Sequence, residues 1–202
     1  YDFSFPRVLG NPNPHLWTAP NLASKYGSLI ANALSEIDPN GSAYYKVNLA
    51  KFQTRVAEMD RLFSISIQTI PEKNRRLLTY HDSFPFFGNR YGLEIIGAIQ
   101  PSNFSDPSPS NLAKLIKQIR DLELPAIFGS VVFESEVLSI IADAVGTVEI
   151  HTLSDDDLPG ERGDLRNTYF AMMTDNVRTI VNALGGTAKP LDGFDISQSW
   201  IP

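Results

Sequence analysis

From residue 75 onward the chain alternates short apolar runs with amphipathic ones, and no other feature narrows its fold so far. Segments 77–80, 93–99, 126–133 and 147–151 read as strands. Between and after them lie a short helical segment following His81-Asp82, a helix over 109–122 and another over 135–145. In the 109–122 helix, Leu112, Leu115, Ile116 and Ile119 share one face. A last helix spans about 168–184. Strands that alternate with helices imply a parallel sheet covered on both faces. Such sheets bind ligands outside the carboxyl ends of their strands. The residues to inspect are therefore His81, Glu134 and the acidic run Asp155-Asp156-Asp157 that follows the strand ending near His151.

The front of the chain is different. Residues 1–14 contain Pro6, Gly10, Pro12 and Pro14 and read as irregular. Pro20 suits a first helical position. After it Leu22, Tyr26, Leu29, Ile30, Ala33 and Ile37 recur at helical spacing, up to Asp38-Pro39. A second helix starts near Ser42, carries Tyr45, Leu49, Phe52, Val56, Met59 and Phe63, and runs to about residue 70 before Pro71. It is long enough to bridge two lobes. From Gly185 the sequence reads as a tail.

Composition removes several classes of function. The chain has 202 residues and no cysteine, which excludes a disulfide scaffold, a cysteine zinc site and a cysteine nucleophile. A net charge of −6 argues against a nucleic-acid partner, since phosphate binding needs a basic face. No apolar run approaches the roughly 18 residues of a membrane span. No nucleophile elbow, phosphate-binding loop or dinucleotide fingerprint is present. The chain begins at Tyr1 rather than Met, which leads to the expectation of a processed chain or a piece of a longer one.

Any metal site must then draw on three histidines and the carboxylates. His81 is either a strand-end histidine that satisfies a backbone carbonyl, or a ligand or base at the ligand-binding edge. His15 sits in Asn13-Pro14-His15-Leu16-Trp17, where prolines stiffen its approach; alone it is an ordinary loop histidine. Glu134 either caps the following helix or faces the cleft. Any one of Asp155, Asp156 and Asp157 can point inward, or all three can form a solvated loop. His151, in or at the end of a strand, reads as structural.

Taken in order, these strings resemble a known family. The order is Asn13-Pro14-His15-Leu16-Trp17, Asp38-Pro39, Tyr44-Tyr45 with Asn48, and the long helix. Thr79-Tyr80-His81-Asp82-Ser83-Phe84 with Phe87 and Tyr91-Gly92 follow. Asp156-Asp157-Leu158-Pro159 and Thr168-Tyr169 with Met173 and Asn176 complete it. The chain resembles the zinc- and manganese-binding solute receptors of bacterial ABC importers, over nearly its whole length up to about Leu184. The resemblance implies two α/β lobes joined by a long rigid helix, with metal held between them. Here it implies a remnant of the first lobe in 1–38, a bridging helix in 39–71, a four-stranded parallel α/β lobe in 72–186 and a tail in 187–202. It implies His15, His81 and Asp156 as metal ligands, with Asp155 or Asp157 as alternatives to Asp156, and a further histidine from a part of the first lobe not contained here. Asn13 stands where the family more often has Asp.

The implied cargo is Zn²⁺ ahead of Mn²⁺, which two imidazoles and a carboxylate suit. The implied partner is an ABC permease. The implied location is the periplasm or the outer face of the cell membrane, with a lipid anchor possible, and the implied state is a monomer that catalyses nothing. Two readings from other classes compete: a zinc-dependent hydrolase with Glu134 as general base, and a scaffold in which the metal is structural.

Overall fold

The computed structural model of the chain describes residues 13–100, 107–132 and 136–197. A short 3₁₀ turn, Leu16–Thr18, leads into α1 (Pro20–Ile37), and a second, Pro39–Gly41, leads into α2 (Ser42–Gln68). Asp38 ends α1 and begins that turn: its carboxylate accepts from the Gly41 N–H and the Tyr45 hydroxyl. At 27 residues, α2 extends about 40 Å at 1.5 Å per residue. Then follow β1 (Arg76–His81), α3 (Pro85–Tyr91), β2 (Glu94–Gln100), α4 (Pro109–Asp121), β3 (Ala126–Ser130), α5 (Glu136–Val145), β4 (Glu149–Leu153) and α6 (Tyr169–Ala183). Gly92, at φ 74°, supplies the left-handed residue that stops α3 and starts β2.

The four strands form one parallel sheet in the order β2-β1-β3-β4. Alternation along the strands feeds two cores. Leu77 and Phe128 pack on one face with Phe63 and Ile67 of α2, Phe87 of α3 and Val177 and Ile180 of α6. Leu78, Tyr80 and Ile127 pack on the other with Ile119 of α4 and Ile141 of α5. The chain leaves β1 to one side to make β2 and returns to its other side to make β3. The order therefore reverses between β1 and β3, where an open α/β sheet forms its ligand crevice.

The expected strand–helix order is present, with shifts at element ends. The fourth strand lies two residues further along than the apolar pattern suggests, at Glu149–Leu153. Its position follows its pairing with β3, which aligns Ala126 with Glu149 and Ser130 with Leu153. Leu153 is buried, and Gly146 at φ 79° turns the chain after α5. The third strand stops at Ser130, and Glu134 lies outside the described residues. The segment read as tail docks on the core. Ala188 and Leu191 are buried, Phe194 and Ile196 pack against the cluster beneath them, and the Thr187 N–H donates to Thr69 Oγ1 at 2.8 Å.

No helix among the described residues is long and apolar enough to cross a membrane.

Candidate metal centre

Three segments converge at the carboxyl edge of the sheet. The first carries His15 into the 3₁₀ turn before α1. Thr18 caps that turn by donating from its N–H and its hydroxyl to the His15 carbonyl. The second is the end of β1, where His81 is the last strand residue and its carbonyl accepts from Thr79 Oγ1 and the Ser83 N–H. The third is the loop after β4, which Asn176 of α6 holds by a paired clamp on Ser154. Asn176 Oδ1 accepts from the Ser154 N–H at 2.8 Å, and Nδ2 donates to its carbonyl at 2.5 Å.

The two imidazoles meet edge to face, with ring centroids 4.8 Å apart and Nε2 atoms 3.1 Å apart. The Asp156 carboxylate straddles them, Oδ1 lying 3.4 Å from His15 Nε2 and Oδ2 3.4 Å from His81 Nε2. Both histidine side chains are 8% exposed, and Asp156 is 32% exposed. These three residues are a group of His and Asp side chains, among the described residues, able to hold a metal ion.

The acidic run divides by role. Asp155 is buried and accepts from Ser83 Oγ and Ser130 Oγ. Asp157 is exposed and accepts from the Leu158 N–H. Asp156 alone of the three turns to the imidazoles. His151, the third histidine, sits mid-strand on β4 beside Glu149, with Nε2 3.1 Å from its carboxylate.

Asn13 fixes the first imidazole. Its Oδ1 lies 2.9 Å from His15 Nδ1 and accepts that N–H, which makes Nε2 the ring nitrogen turned to His81 and Asp156. Its Nδ2 donates to the Asp82 carbonyl at 2.7 Å and to Asp82 Oδ2 at 3.0 Å. An aspartate here would set two carboxylates against each other. Next to Asp82, the amide suits the position better than the acid.

The electrostatics favour a cation. Hydrogen bonds from His15 and His81 hold the Asp156 carboxyl far below the usual carboxylate range, against the opposing effect of burial. Burial works against a charged His81, but Asp156, Asp155 and Asp82 outweigh it and raise its pKa above the ordinary value. Asp156, Asp155 and Asp82 thus gather negative charge around the His81 imidazole.

Sequence reasoning singled out His15, His81 and the acidic run. It missed Ser130, Asp82 as the partner of Asn13, and Ser83 as a hydrogen-bond donor. Strand-end position is the signal that marks Ser130: it closes β3, next to β1, at the point where the strand order reverses.

The parallel α/β sheet thus carries at its carboxyl edge two imidazoles and a carboxylate, the donor set of a candidate metal site. The family described as zinc-uptake complex component A, periplasmic, matches residues 6–183, and the chain belongs to that family. A manganese-binding lipoprotein of Halalkalibacterium halodurans is 26% identical over 175 residues, covering 85% of this chain and 57% of the relative. The zinc-binding protein TroA of Treponema pallidum is 28% identical over 176 residues, with the same shares covered. The solved structure of the Treponema pallidum periplasmic zinc-binding protein superposes with a TM-score of 0.79 at 29% identity. It covers 85% of this chain and 63% of that one. The chain thus spans somewhat more than half the length of these curated relatives.

Proposed function

We propose that this chain binds a divalent transition metal, Zn²⁺ ahead of Mn²⁺, through His15 Nε2, His81 Nε2 and Asp156. It would do so on the extracytoplasmic side of the membrane, as a receptor that hands the ion to an ABC-type permease. The observation that carries the reading is the meeting of two buried imidazole nitrogens 3.1 Å apart under one carboxylate. Tetrahedral zinc with bonds of about 2.0–2.1 Å spaces neighbouring ligand atoms about 3.3 Å apart, close to the separations here. Manganese favours more oxygen ligands and a larger coordination number, which three residues with two nitrogens supply less well.

The names of the relatives, manganese-binding and zinc-binding proteins and lipoproteins, support the ion class and the location. Membership of the family supports delivery to a permease. His81 closes a strand, and hydrogen bonds tie down the two loop ligands, His15 through Asn13 and the segment of Asp156 through Asn176, which supports a site formed before the ion arrives. A receptor of this kind performs no bond-breaking chemistry.

Equilibrium dialysis of the 202-residue chain against equal zinc and manganese, followed by elemental analysis, tests the reading. It is expected to return about one zinc per chain. No bound metal, or metal retained equally after His81→Ala, contradicts it.

A further inference from the structure

We propose that Asp155 is the positioning residue of this metal site, a group that ties all three ligand-bearing segments to one another. The inference rests on the metal-binding reading above. The Asp155 carboxylate accepts from Ser83 Oγ at 2.9 Å and from Ser130 Oγ at 2.7 Å. Its backbone carbonyl accepts from the Trp17 indole N–H at 3.0 Å. Its Oδ1 also accepts from the N–H of Asp156 at 3.2 Å.

The pattern of donors is what gives Asp155 its role. Trp17 lies two residues after His15, and Ser83 lies two residues after His81. Asp155 itself immediately precedes Asp156. Each ligand is therefore one or two residues from a hydrogen bond to the same amino acid. Ser130 anchors that amino acid to the end of β3, and the Asn176 clamp fixes the residue before it. Trp17 adds a ring contact to His15, with centroids 5.1 Å apart.

Asp155 is 3% exposed, and each of its carboxylate oxygens accepts from a serine hydroxyl. A buried carboxylate with several donors is rigid, because leaving any of them unpaired is costly. That rigidity passes to the backbone from which Asp156 reaches the imidazoles. Ligand partners of this kind typically change metal affinity by about 10–100-fold when lost.

The test uses the full chain, zinc with a competing chromophoric chelator for affinity, and Co²⁺ absorption for coordination geometry. Asp155→Ala is expected to lower zinc affinity by about 10–100-fold and to alter the intensity and position of the cobalt d–d bands. Asp155→Asn, whose amide oxygen still accepts and whose NH₂ a serine hydroxyl can receive, is expected to recover most of both. Wild-type affinity and an unchanged cobalt spectrum in Asp155→Ala, with only its melting temperature lowered, overturn the proposal. Should Asp155→Ala not fold, Ser83→Ala and Ser130→Ala each remove one donor and are expected to cost affinity several-fold. No loss in either overturns the proposal. Failure of the wild-type chain to bind zinc or cobalt overturns instead the reading on which the inference rests.

Discussion

The sheet and the helical pair in front of it are finished to different degrees. The sheet has a core on each face, and Leu77, Leu78, Ile127 and Phe128 are fully enclosed. Along α1, by contrast, only Pro20, Ala23 and Ala31 are buried. Leu29, Ile30, Leu34 and Ile37 are 66%, 59%, 40% and 82% exposed, a continuous apolar stripe. Beside it, Tyr44, Asn48 and Phe52 of α2 line a groove of about 390 Å³ with Tyr169 of α6. Yet the candidate metal centre takes one histidine from each region, His81 from the end of β1 and His15 from the segment entering α1. The difference teaches that site geometry is set locally. His15 is held by Asn13 and Trp17, and Trp17 is bonded in turn to Asp155 in the closed region; none of these contacts involves α1.

The contrast can be broken first at the cores. Phe128→Ala is expected to cost about 3–5 kcal/mol, whereas Leu34→Ala on the exposed stripe should stay within about 0.5 kcal/mol. Urea unfolding of the two variants checks this, and comparable losses would mean that the two regions are equally consolidated. Next comes the site. His15→Ala and His81→Ala should weaken zinc binding to similar extents, each by more than the roughly 100-fold that loss of an outer partner costs. Competition with a chelator reads the difference. A much smaller effect for His15→Ala would show that the front segment is not part of a preformed site.

The pH dependence sharpens the comparison further. In the metal-free chain the raised His81 pKa gives stability below its unfolded value of 6.5, and that stability is lost as pH rises through the higher folded value. The depressed Asp156 gives stability above its unfolded value of 3.8, lost as pH falls through the folded one. The pair therefore supports the fold between those limits. Zinc needs neutral imidazoles, so its affinity should begin to fall above the ordinary histidine pKa as the solution is acidified. Melting curves with and without zinc should diverge toward alkaline pH. A smaller effect is expected from Thr168→Ala. Thr168 Oγ1 accepts from the Ala171 N–H at the start of α6 and donates to the Ile196 carbonyl, and its loss should cost about 1 kcal/mol by thermal unfolding.

Much of this was legible in the sequence because periodicity and Pro/Gly punctuation act locally. Pro20, Asp38-Pro39 and Pro71 bracket the two long helices, and the apolar runs place the strands to within two or three residues. His81 was legible as a strand end at the binding edge. The choice among Asp155, Asp156 and Asp157 was not, because adjacent loop residues differ only in where the backbone turns them. That turn is decided by Ser83, Ser130 and Asn176, which are distant in sequence. The docking of residues 187–197 was equally invisible. It depends on Phe194 packing with Phe170 while Arg55 lies over both rings, contacts that no local pattern announces.

The central claim is that His15, His81 and Asp156 together hold the ion, and anomalous diffraction from zinc-soaked crystals tests it most directly. The expected result is a single strong peak at the zinc edge, about 2.0–2.1 Å from both Nε2 atoms and from an Asp156 oxygen. A peak elsewhere, or one that leaves either imidazole outside bonding distance, would contradict the assignment.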